Sequence, residues 1–441
     1  MKLRILILLI FTTLSICSSV LSQTLQWRLL PNSPTTGSGG RYEDIYFLNS
    51  TTGWAIHESG KIYRTTNGGN AWDTSFIAAS SPALRSIGFF DYENGILGTL
   101  SDDSTRILFR TTNHGVNWSP ITNLPSPWPL GICGINILNE NVGFAVGRYV
   151  MPARIVKTTD KGLTWTAQLI DTSMATSIVD CYFWDENNGI AVGGRSYSIT
   201  FLGSYPVVLR TTNGGTTWSR VYLGSQFGQF WKISTRTSSL VYLSTESYSF
   251  GISNIMKSTD AGYNWTEIPF RNFHQQGIGF MNESTGWVGG FGSTYETTDG
   301  GAEWHLAGWG NNLNRIRIIN DTIAYAGDNR IYKYSTESVG IKNITTNIPG
   351  EYFLYQNYPN PFNPVTKIRF DIISDVSRNE SNVRLIVYDA LGKEVTTLLS
   401  EKLSPGSYEV EFDGNSLSSG IYFYKLQTEN FSEVKRMILL R

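Results

Sequence analysis

The amino-acid sequence predicts an all-β protein, made of a β-propeller followed by a small β-sandwich. The first observation is an eight-residue box, Ser/Thr-x-Asp/Asn-x-Gly-x-x-Trp, which occurs six times at intervals of 39 to 53 residues. The second is a strand–turn–strand motif that precedes each box, and the third is a change of composition after Glu337. Repeats of this length are typical of propellers and solenoids, in which each repeat forms one unit that stacks on the next.

The box has the composition of a tight hairpin turn. Its Asp or Asn side chain can accept backbone N–H groups, its Gly can adopt a positive φ, and its Trp begins the outgoing strand. These three positions are Asn67, Gly69, Trp72; Asn113, Gly115, Trp118; Asp160, Gly162, Trp165; Asn213, Gly215, Trp218; Asp260, Gly262, Trp265; and Asp299, Gly301, Trp304. Because turn chemistry accounts for every position, we interpret the box as structural, with no role in catalysis or metal binding.

The box resembles the Asp-box, or bacterial-neuraminidase (BNR) repeat, of sialidases, sortilin-type receptors and photosystem II assembly-factor propellers. In those families the box lies on an outer hairpin, away from the ligand. The short, uniform repeats of this chain are most similar to the assembly-factor type, which implies a protein-binding scaffold without catalysis. A photosynthetic role is not implied, since similarity of fold does not transfer function.

The strand–turn–strand motif gives an independent count of the repeats, because it alternates apolar residues before a polar turn and a Gly. Its seven copies are Ile45–Ile56, Ile87–Gly98, Ile135–Val146, Cys181–Val192, Ile233–Ser244, Ile278–Gly289 and Ile316–Gly327. No box follows the seventh copy, but Gln26–Leu30 resembles the strand that follows a box. We therefore expect a seven-bladed propeller over residues 23–338, in which the N-terminal strand completes the last blade and closes the ring.

Residues 1–22 have the features of a secretory signal peptide. Two basic residues precede an apolar stretch, Ile5–Ile16, and small residues suit cleavage after Ser22. Cys17 fits a lipoprotein signal poorly, because a bulky apolar residue precedes it. No later segment has the roughly 20 apolar residues of a membrane-spanning helix, so we predict no transmembrane segment.

The charge and cysteine content exclude several classes of protein. The 35 basic and 36 acidic residues form no run of one sign, which argues against a nucleic-acid partner or an anionic membrane. Cys133 and Cys181 lie at equivalent positions of successive repeats, which permits one disulfide, although we favour two buried thiols. The four histidines lack the spacing of metal ligands, so we predict neither a metal nor a cofactor.

The C-terminal part is divided into a linker, residues 339–351, with one or two short extended pieces, and a β-sandwich, residues 352–441. Three prolines between residues 359 and 364 exclude a central strand, and five alternating segments follow. The stretches Asn357–Phe370, Val387–Val395, Leu417–Leu426 and Lys435–Arg441 strongly resemble the C-terminal sorting domain of type IX secretion cargo, which is similar to an immunoglobulin-like module. The resemblance implies as partners the type IX translocon and its sorting machinery. It also implies passage through the periplasm and a final place outside, or on the outer surface of, a gram-negative cell.

The funnel formed where the inner strands of the blades begin is the candidate binding site. Those positions hold Tyr42, Glu43, Arg85, Trp128, Trp231, His274 and Arg315. Aromatic rings with a few polar groups are typical of carbohydrate and peptide sites, although both tryptophans could equally pack between blades. We therefore predict a monomeric, non-catalytic propeller that binds an extracellular glycan or protein.

An extracellular glycoside hydrolase, sialidase-like or endoglucanase-like, is the alternative function. A sialidase needs arginines for the substrate carboxylate and a tyrosine nucleophile with a nearby carboxylate. Arg41, Arg85 and Arg315 could supply the arginines, but the Phe/Tyr-Arg-Ile-Pro stretch of sialidases does not occur, and we assign no catalytic residue. An Asp or Glu pair at glycosidase spacing in the funnel would favour the hydrolase, and aromatics and amides without such a pair would favour the binding protein.

Overall fold

The computed structural model describes residues 25–30, 32–37, 40–76, 82–126, 128–147, 153–196, 203–248, 253–270, 274–335, 341–345, 348–374, 381–414 and 417–440. Within these ranges the secondary structure consists of strands joined by turns and loops, so the predicted all-β class is confirmed. The same ranges contain no helix with the length and apolarity needed to cross a bilayer. The predicted signal peptide, residues 1–22, lies outside them.

Up to residue 335, the described residues form seven four-stranded antiparallel sheets. The first strand of the chain, β1 (Gln26–Leu29), belongs to the last of these sheets. Sheet 1 contains β2 (Tyr42–Phe47), β3 (Gly53–His57), β4 (Lys61–Thr65) and β5 (Asp73–Phe76); sheet 2 contains β6 (Leu84–Phe89), β7 (Gly95–Thr99), β8 (Leu108–Thr111) and β9 (Ser119–Pro120). Sheet 3 contains β10 (Gly134–Ile137), β11 (Gly143–Gly147), β12 (Arg154–Thr158) and β13 (Thr166–Leu169); sheet 4 contains β14 (Ser177–Phe183), β15 (Gly189–Ser196), β16 (Ser204–Thr211) and β17 (Ser219–Leu223). Sheet 5 contains β18 (Gly228–Thr235), β19 (Val241–Ser247), β20 (Ser253–Ser258) and β21 (Thr266–Phe270); sheet 6 contains β22 (Gln275–Phe280), β23 (Gly286–Gly290), β24 (Thr294–Thr297) and β25 (His305–Leu306). Sheet 7 contains β26 (Arg315–Ile318), β27 (Ala324–Gly327), β28 (Ile331–Ser335) and β1.

The seven sheets form a closed ring, which is the arrangement of a β-propeller. The inner strand of each sheet contacts the inner strand of the next, in the order β2, β6, β10, β14, β18, β22 and β26, and β26 contacts β2 again. The N-terminal strand β1 pairs antiparallel with β28, with Trp27 opposite Tyr334. Sheet 7 therefore joins the two ends of the propeller sequence, as the missing seventh box predicted, and this pairing covers an edge that would otherwise be open.

The hydrophobic core lies between successive sheets. Between sheets 3 and 4, Phe144 stacks on Phe183 with ring centroids 3.5 Å apart, and the box residue Trp218 lies edge-on to Phe183 at 5.9 Å. Between sheets 1 and 2, Trp54 stacks on Phe89 at the same 3.5 Å. The box tryptophan thus contributes its apolar surface to the seam between two sheets.

The two cysteines are buried thiols and are not bridged to each other. Cys133 packs with Val179 and Trp231, whereas Cys181 belongs to the core between sheets 3 and 4. Burial raises the pKa of Cys181 well above its usual value.

The C-terminal part consists of two four-stranded sheets around one core. One sheet contains β29 (Ile341–Thr345), β34 (Gly406–Asp413), β31 (Val365–Ile372) and β30 (Phe353–Leu354); the other contains β33 (Glu394–Leu403), β32 (Ser381–Tyr388), β35 (Gly420–Gln427) and β36 (Ser432–Leu439). The proline-rich stretch is tied to the last strand, because the Phe362 N–H donates to the Ile438 carbonyl (2.9 Å) and the Phe362 carbonyl accepts the Leu440 N–H (3.0 Å). This is a β-sandwich with an irregular N-terminal segment held against its C-terminus.

The strand β29 lies within residues 339–351, which the sequence assigned to a linker. It pairs with β34, with Ile341 opposite Val410, so the sandwich includes residues from 341 onward. Short extended pieces were expected in this segment, but the sequence of a five-residue strand does not identify the strand with which it pairs.

Candidate functional site

All six boxes form the same hydrogen-bonded turn. The Ser or Thr hydroxyl accepts the N–H of the box glycine at 2.9–3.0 Å, and the Asp or Asn carboxyl or amide oxygen accepts the N–H four residues on at 2.8–3.0 Å. The indole N–H of each box tryptophan donates to the carbonyl of the same glycine at 3.0–3.1 Å. The glycine φ values are 80° to 95°, which an L side chain rarely adopts. The polar groups of the box are thus occupied by the turn itself.

Basic residues that precede the boxes bind the box of the following sheet. The Arg110 Nε donates to the Lys161 carbonyl (2.9 Å), and the Lys257 Nζ donates to the Gly300 carbonyl (3.2 Å). The Arg210 guanidinium lies 3.8 Å from the centroid of the Tyr263 ring. The end of the ring that carries the boxes, called the box end below, is therefore cross-linked from sheet to sheet. The opposite end, where the inner strands begin, is called the funnel end.

β-Bulges shape the inner strands close to the funnel end. They occur between Tyr42 and Asp44, Leu84 and Ser86, Ile178 and Asp180, Phe230 and Ile233, and Gln275 and Gly277. A bulge inserts one residue, bends the strand and re-aims the neighbouring side chains. The residues in or beside these bulges include Glu43, Asp44, Arg85, Asp180 and Lys232, all of which are buried although they carry ionisable groups.

Arg315 joins carboxylates on opposite sides of the ring. Its Nε donates to Asp44 of sheet 1 and its Nη1 donates to Asp180 of sheet 4, both at 2.9 Å. Sheets 7 and 4 are not neighbours in the ring, so this contact has to cross the central axis. Arg317 adds a second contact with Asp44 at 3.3 Å. These ion pairs close the central channel of the ring. We call the group formed at this place the axial cluster: Asp44, Asp180, Lys232, Arg315 and Arg317.

A second network lies next to the axial cluster. The Arg85 guanidinium pairs with the Glu43 carboxylate and lies 5.2 Å from the centroid of the Trp231 ring. The Trp231 indole N–H donates to the Asn314 side chain (3.2 Å), and the Asn314 amide donates to the Glu43 carbonyl (2.6 Å). Four of the seven predicted site residues, namely Glu43, Arg85, Trp231 and Arg315, are therefore brought together in the channel.

The other three predicted residues lie elsewhere. Tyr42 is buried in the core, where its hydroxyl donates to the Pro34 carbonyl (2.5 Å) and burial raises its pKa above the usual range. Trp128 is 38% exposed in the loop before β10. His274 precedes β22, and its Nδ1 lies 3.6 Å from a Glu246 carboxylate oxygen. Tyr42 thus has a packing role, while Trp128 and His274 lie at the funnel end.

Asp44, Asp180, Lys232 and Arg317 were missed by the sequence interpretation. Asp44, Asp180 and Lys232 lie in or beside bulges of their strands, and a bulge has no distinctive sequence pattern. The sequence contained one indication of these buried charges. Asp44 and Arg315 stand directly before an isoleucine in strands whose other residues are largely apolar. Ionisable residues are rarely buried unless they are paired, so charges at those positions indicate an internal network.

The Asp44 carboxylate is held as an ion. Burial alone would raise the pKa of Asp44, but Arg315 and Arg317 keep that pKa below its usual value. Asp44 also accepts the backbone N–H groups of Ile45 (2.9 Å) and Ile87 (3.3 Å). A carboxyl group in this state cannot donate a proton at neutral pH, as the acid of a glycosidase must. Within the described residues, no group of three His, Cys, Asp or Glu side chains could hold a metal ion.

Exposed aromatic rings gather at the funnel end. Phe291, between β23 and β24, is 72% exposed and packs edge-on to His274 at 6.3 Å. Phe227, just before β18, is 41% exposed, and its ring centroid lies 4.9 Å from that of Tyr205. Phe227 also borders a cleft between sheets 4 and 5 that is lined by Pro206, Tyr222, Phe230, Asn254 and Glu267 among others.

The polar groups of this cleft are linked to one another. The Glu267 carboxylate accepts the Asn254 amide N–H at 2.6 Å and also accepts the Tyr222 hydroxyl. Burial and this contact with Glu267 raise the pKa of Tyr222 above its usual range. The cleft therefore combines aromatic faces with a carboxylate and an amide, which suits a hydroxyl-rich ligand.

The ring of sheets, the six box turns and the C-terminal sandwich define the class of the protein: an all-β propeller followed by a β-sandwich. Residues 23–196 match the profile of the Photosynthesis system II assembly factor YCF48, and residues 356–440 match the Secretion system C-terminal sorting domain. Both resemblances inferred from the sequence are thereby confirmed. The sorting domain indicates export through the type IX secretion system to the cell surface or beyond, and contact with the machinery of that system.

Several solved structures share the propeller fold. YCF48 bound to D1 peptide is 18% identical over 71% of this chain and 97% of its own, with a TM-score of 0.52. YCF48 from Cyanidioschyzon merolae is 19% identical over 71% of this chain and 100% of its own, with a TM-score of 0.53. A streptogramin B lyase is 14% identical over 70% of this chain and 97% of its own, with a TM-score of 0.54. At these identities the likeness concerns the fold alone. No curated protein matches the sequence.

Proposed function

We propose that the protein is an exported, non-catalytic binding protein whose ligand docks at the funnel end of the propeller. The observation that carries this proposal is the aromatic surface of that end, where Phe227, Phe291 and Trp128 are exposed on loops between strands. Exposed aromatic side chains are frequent anchors of binding surfaces. The channel itself is closed by the axial cluster, so the ligand binds on the rim and not through the ring.

The first candidate ligand is an extracellular glycan. At the edge of the cleft, the exposed Phe227 ring offers a face on which a sugar can stack, and the Asn254 and Glu267 side chains beside it are polar partners for hydroxyl groups. This cleft carries no excess of basic residues, which a strongly anionic ligand would need.

A peptide is the second candidate ligand. One solved structure of similar fold was determined with a peptide bound, which shows that such a ring can hold one. Exposed aromatic side chains also serve as anchors in protein interfaces. A peptide ligand would use the same rim, so the two candidates differ in chemistry and not in place.

The glycoside hydrolase alternative is less well supported by this geometry. Asp44 and Asp180 share the guanidinium of Arg315, and Asp44 is held ionised. A glycosidase needs one carboxyl group that is protonated and a second that is free to attack or to activate water. The axial carboxylates meet neither requirement.

Binding of the mature chain, from residue 23, to a broad glycan array tests the first candidate. Phe227→Ala is expected to weaken binding of a positive glycan at least about tenfold, because an aromatic anchor is removed. Val116→Ala is the matched control, since Val116 is 48% exposed on a box and should not affect binding. A blank array would contradict the glycan proposal, and equal loss in both variants would contradict the proposed location.

Export is tested separately by deleting residues 341–441, which removes β29 with the rest of the sandwich. The shortened protein is expected to accumulate in the periplasm, because the sorting domain is lost while the predicted signal peptide remains. Cell fractionation and surface proteolysis measure its location. Surface display of the shortened protein would refute the role of the sandwich in the last export step.

A further inference from the structure

Two buried hydrogen-bond donors at the propeller axis have no acceptor within the described part of the chain. Lys232 is 1% exposed, and among the described residues no acceptor lies within hydrogen-bonding distance of its Nζ. Arg315 uses Nε and Nη1 on the two axial aspartates, whereas its Nη2 has no partner in the described part of the chain. Buried donors are rarely left unsatisfied in native proteins, and where no protein group serves them an ion or a water usually does.

The ionisable groups around these donors are unbalanced in charge. The two channel networks contain five basic side chains and three acidic ones, namely Arg41, Arg85, Lys232, Arg315 and Arg317 against Glu43, Asp44 and Asp180. Burial and then Arg315 lower the pKa of Lys232 to about 7, whereas Asp180 and Asp44 oppose this shift. At the Lys232 ammonium, burial and the positive charges of Arg315 and Arg85 therefore outweigh the two carboxylates.

We propose that a small inorganic anion, with chloride as the best fit, binds at the propeller axis between Lys232 and Arg315. The anion accepts hydrogen bonds from Lys232 Nζ and Arg315 Nη2 and reduces the excess positive charge of the channel. The two donors belong to sheets 5 and 7, so the anion links inner strands that are not neighbours in the ring. The site is distinct from the funnel-end surface, and its role is to complete the closed channel.

The closure of the channel limits what this anion can be. Asp44, Arg85, Asp180, Lys232 and Arg315 are 0–5% exposed, so a bound ion gives up its hydration shell almost completely. A monovalent halide loses less hydration energy than a multivalent anion and accepts N–H donors from any direction, whereas a peptide carboxylate would bring its backbone into the closed channel. The site therefore selects for a single small ion.

The first test is the thermal unfolding of the mature chain at constant ionic strength, with gluconate replaced stepwise by chloride. A ligand that binds only the folded state stabilises it by mass action. At a chloride concentration about ten times the dissociation constant, the melting temperature of the wild type is expected to rise by roughly 2 °C. A melting temperature that is the same in both anions would overturn the proposal.

Two variants and one crystallographic measurement locate the effect. Lys232→Met is expected to abolish the chloride dependence, whereas the control Lys257→Met, on the same sheet at the box end, is expected to keep it. Crystals of the wild type soaked in bromide should show an anomalous peak between Lys232 and Arg315. This measurement decides the matter even if Lys232→Met does not fold. A chloride response that survives in Lys232→Met, or the absence of a bromide peak at the axis, would contradict the site.

Discussion

Replacing Arg315 by Met removes the cation that joins Asp44 and Asp180 across the ring. The variant leaves two buried carboxylates, of which Asp44 keeps Arg317 and two backbone N–H groups, and Asp180 keeps the Ile233 N–H at 3.2 Å. Breaking a buried ion pair by removing one partner typically costs about 3–5 kcal/mol, because the remaining charge is left uncompensated. Since both carboxylates retain other donors, we expect a loss of about 3–5 kcal/mol in total, not twice that amount.

Urea unfolding of the mature chain at pH 7 measures this loss. Arg64→Met is the matched control, because Arg64 pairs at 2.9 Å with Asp73, whose side chain is 74% exposed, and such surface pairs contribute about 0–1 kcal/mol. The double variant Arg315→Met with Asp180→Asn should recover part of the stability, because one of the two uncompensated charges is then absent. The reasoning is refuted if Arg315→Met costs no more than Arg64→Met.

The pH dependence gives a second check on the same variant. Arg315 and Arg317 lower the pKa of Asp44 in the folded wild type, so this group stabilises the fold above its unfolded pKa, and the contribution is lost as the pH falls through the lower, folded pKa. Without Arg315, the Asp44 carboxylate is less stabilised and its folded pKa rises. The difference in stability between wild type and variant should therefore be largest near neutral pH and shrink in acid, below about pH 4.

Three further predictions concern single side chains. Trp218→Ala should destabilise the propeller by about 3–5 kcal/mol in urea unfolding, because the ring is buried against Phe183 in the seam between sheets 3 and 4; an unchanged midpoint would contradict that packing role. In chloride-free buffer, Lys232→Met should be more stable than the wild type by up to about 5 kcal/mol below pH 7, which corresponds to the fall of the pKa from 10.5 to about 7. This gain in stability should fade between pH 7 and 10.5, because in that range Lys232 is still protonated in the unfolded chain but has lost its proton in the folded protein. A gain that does not depend on pH would show that Lys232 is not neutralised by burial. Ala261→Gly should stabilise the propeller by up to about 1 kcal/mol, because Ala261 has a φ of 60° at a box position where three other boxes carry glycine. The control Ala302→Gly, in the next box, should not stabilise it. Equal effects of the two changes in thermal unfolding would contradict the argument from φ.

The ring could be predicted because each repeat carries its own markers. The box combines a required glycine with an Asp or Asn turn, so its geometry follows from local chemistry and is the same in all six copies. The closure of the ring by β1 could be predicted as well. The N-terminal strand resembles the strand that follows a box in the other repeats, and the seventh repeat has no box. The place of β29 in the sandwich could not be predicted, because an extended piece of five residues does not identify β34 as its partner.

The candidate site could be predicted only in part, for a related reason. Glu43, Arg85, Trp231 and Arg315 were found because they stand at strand starts, which topology brings to the funnel end. Their contacts cross the ring, between sheets that are distant in the sequence, and no local pattern encodes such a contact. The basic residues before the boxes show the same limit, because Arg110 and Lys257 bind carbonyls in the box of the following sheet, and no local pattern encodes that contact.

This distribution of contacts gives the two ends and the axis of the propeller different roles. At the box end, the polar groups of each turn are satisfied within the turn, and basic side chains such as Arg110 cross-link one sheet to the next. At the axis, Arg315 ties sheet 7 to sheets 1 and 4, so a ligand cannot pass through the ring. Surface that is not already engaged in holding the ring together remains on the funnel-end loops, where Phe227 and Phe291 stay exposed. Loops at that end can vary without disturbing either set of cross-links, which is the property expected of a binding surface on a rigid scaffold.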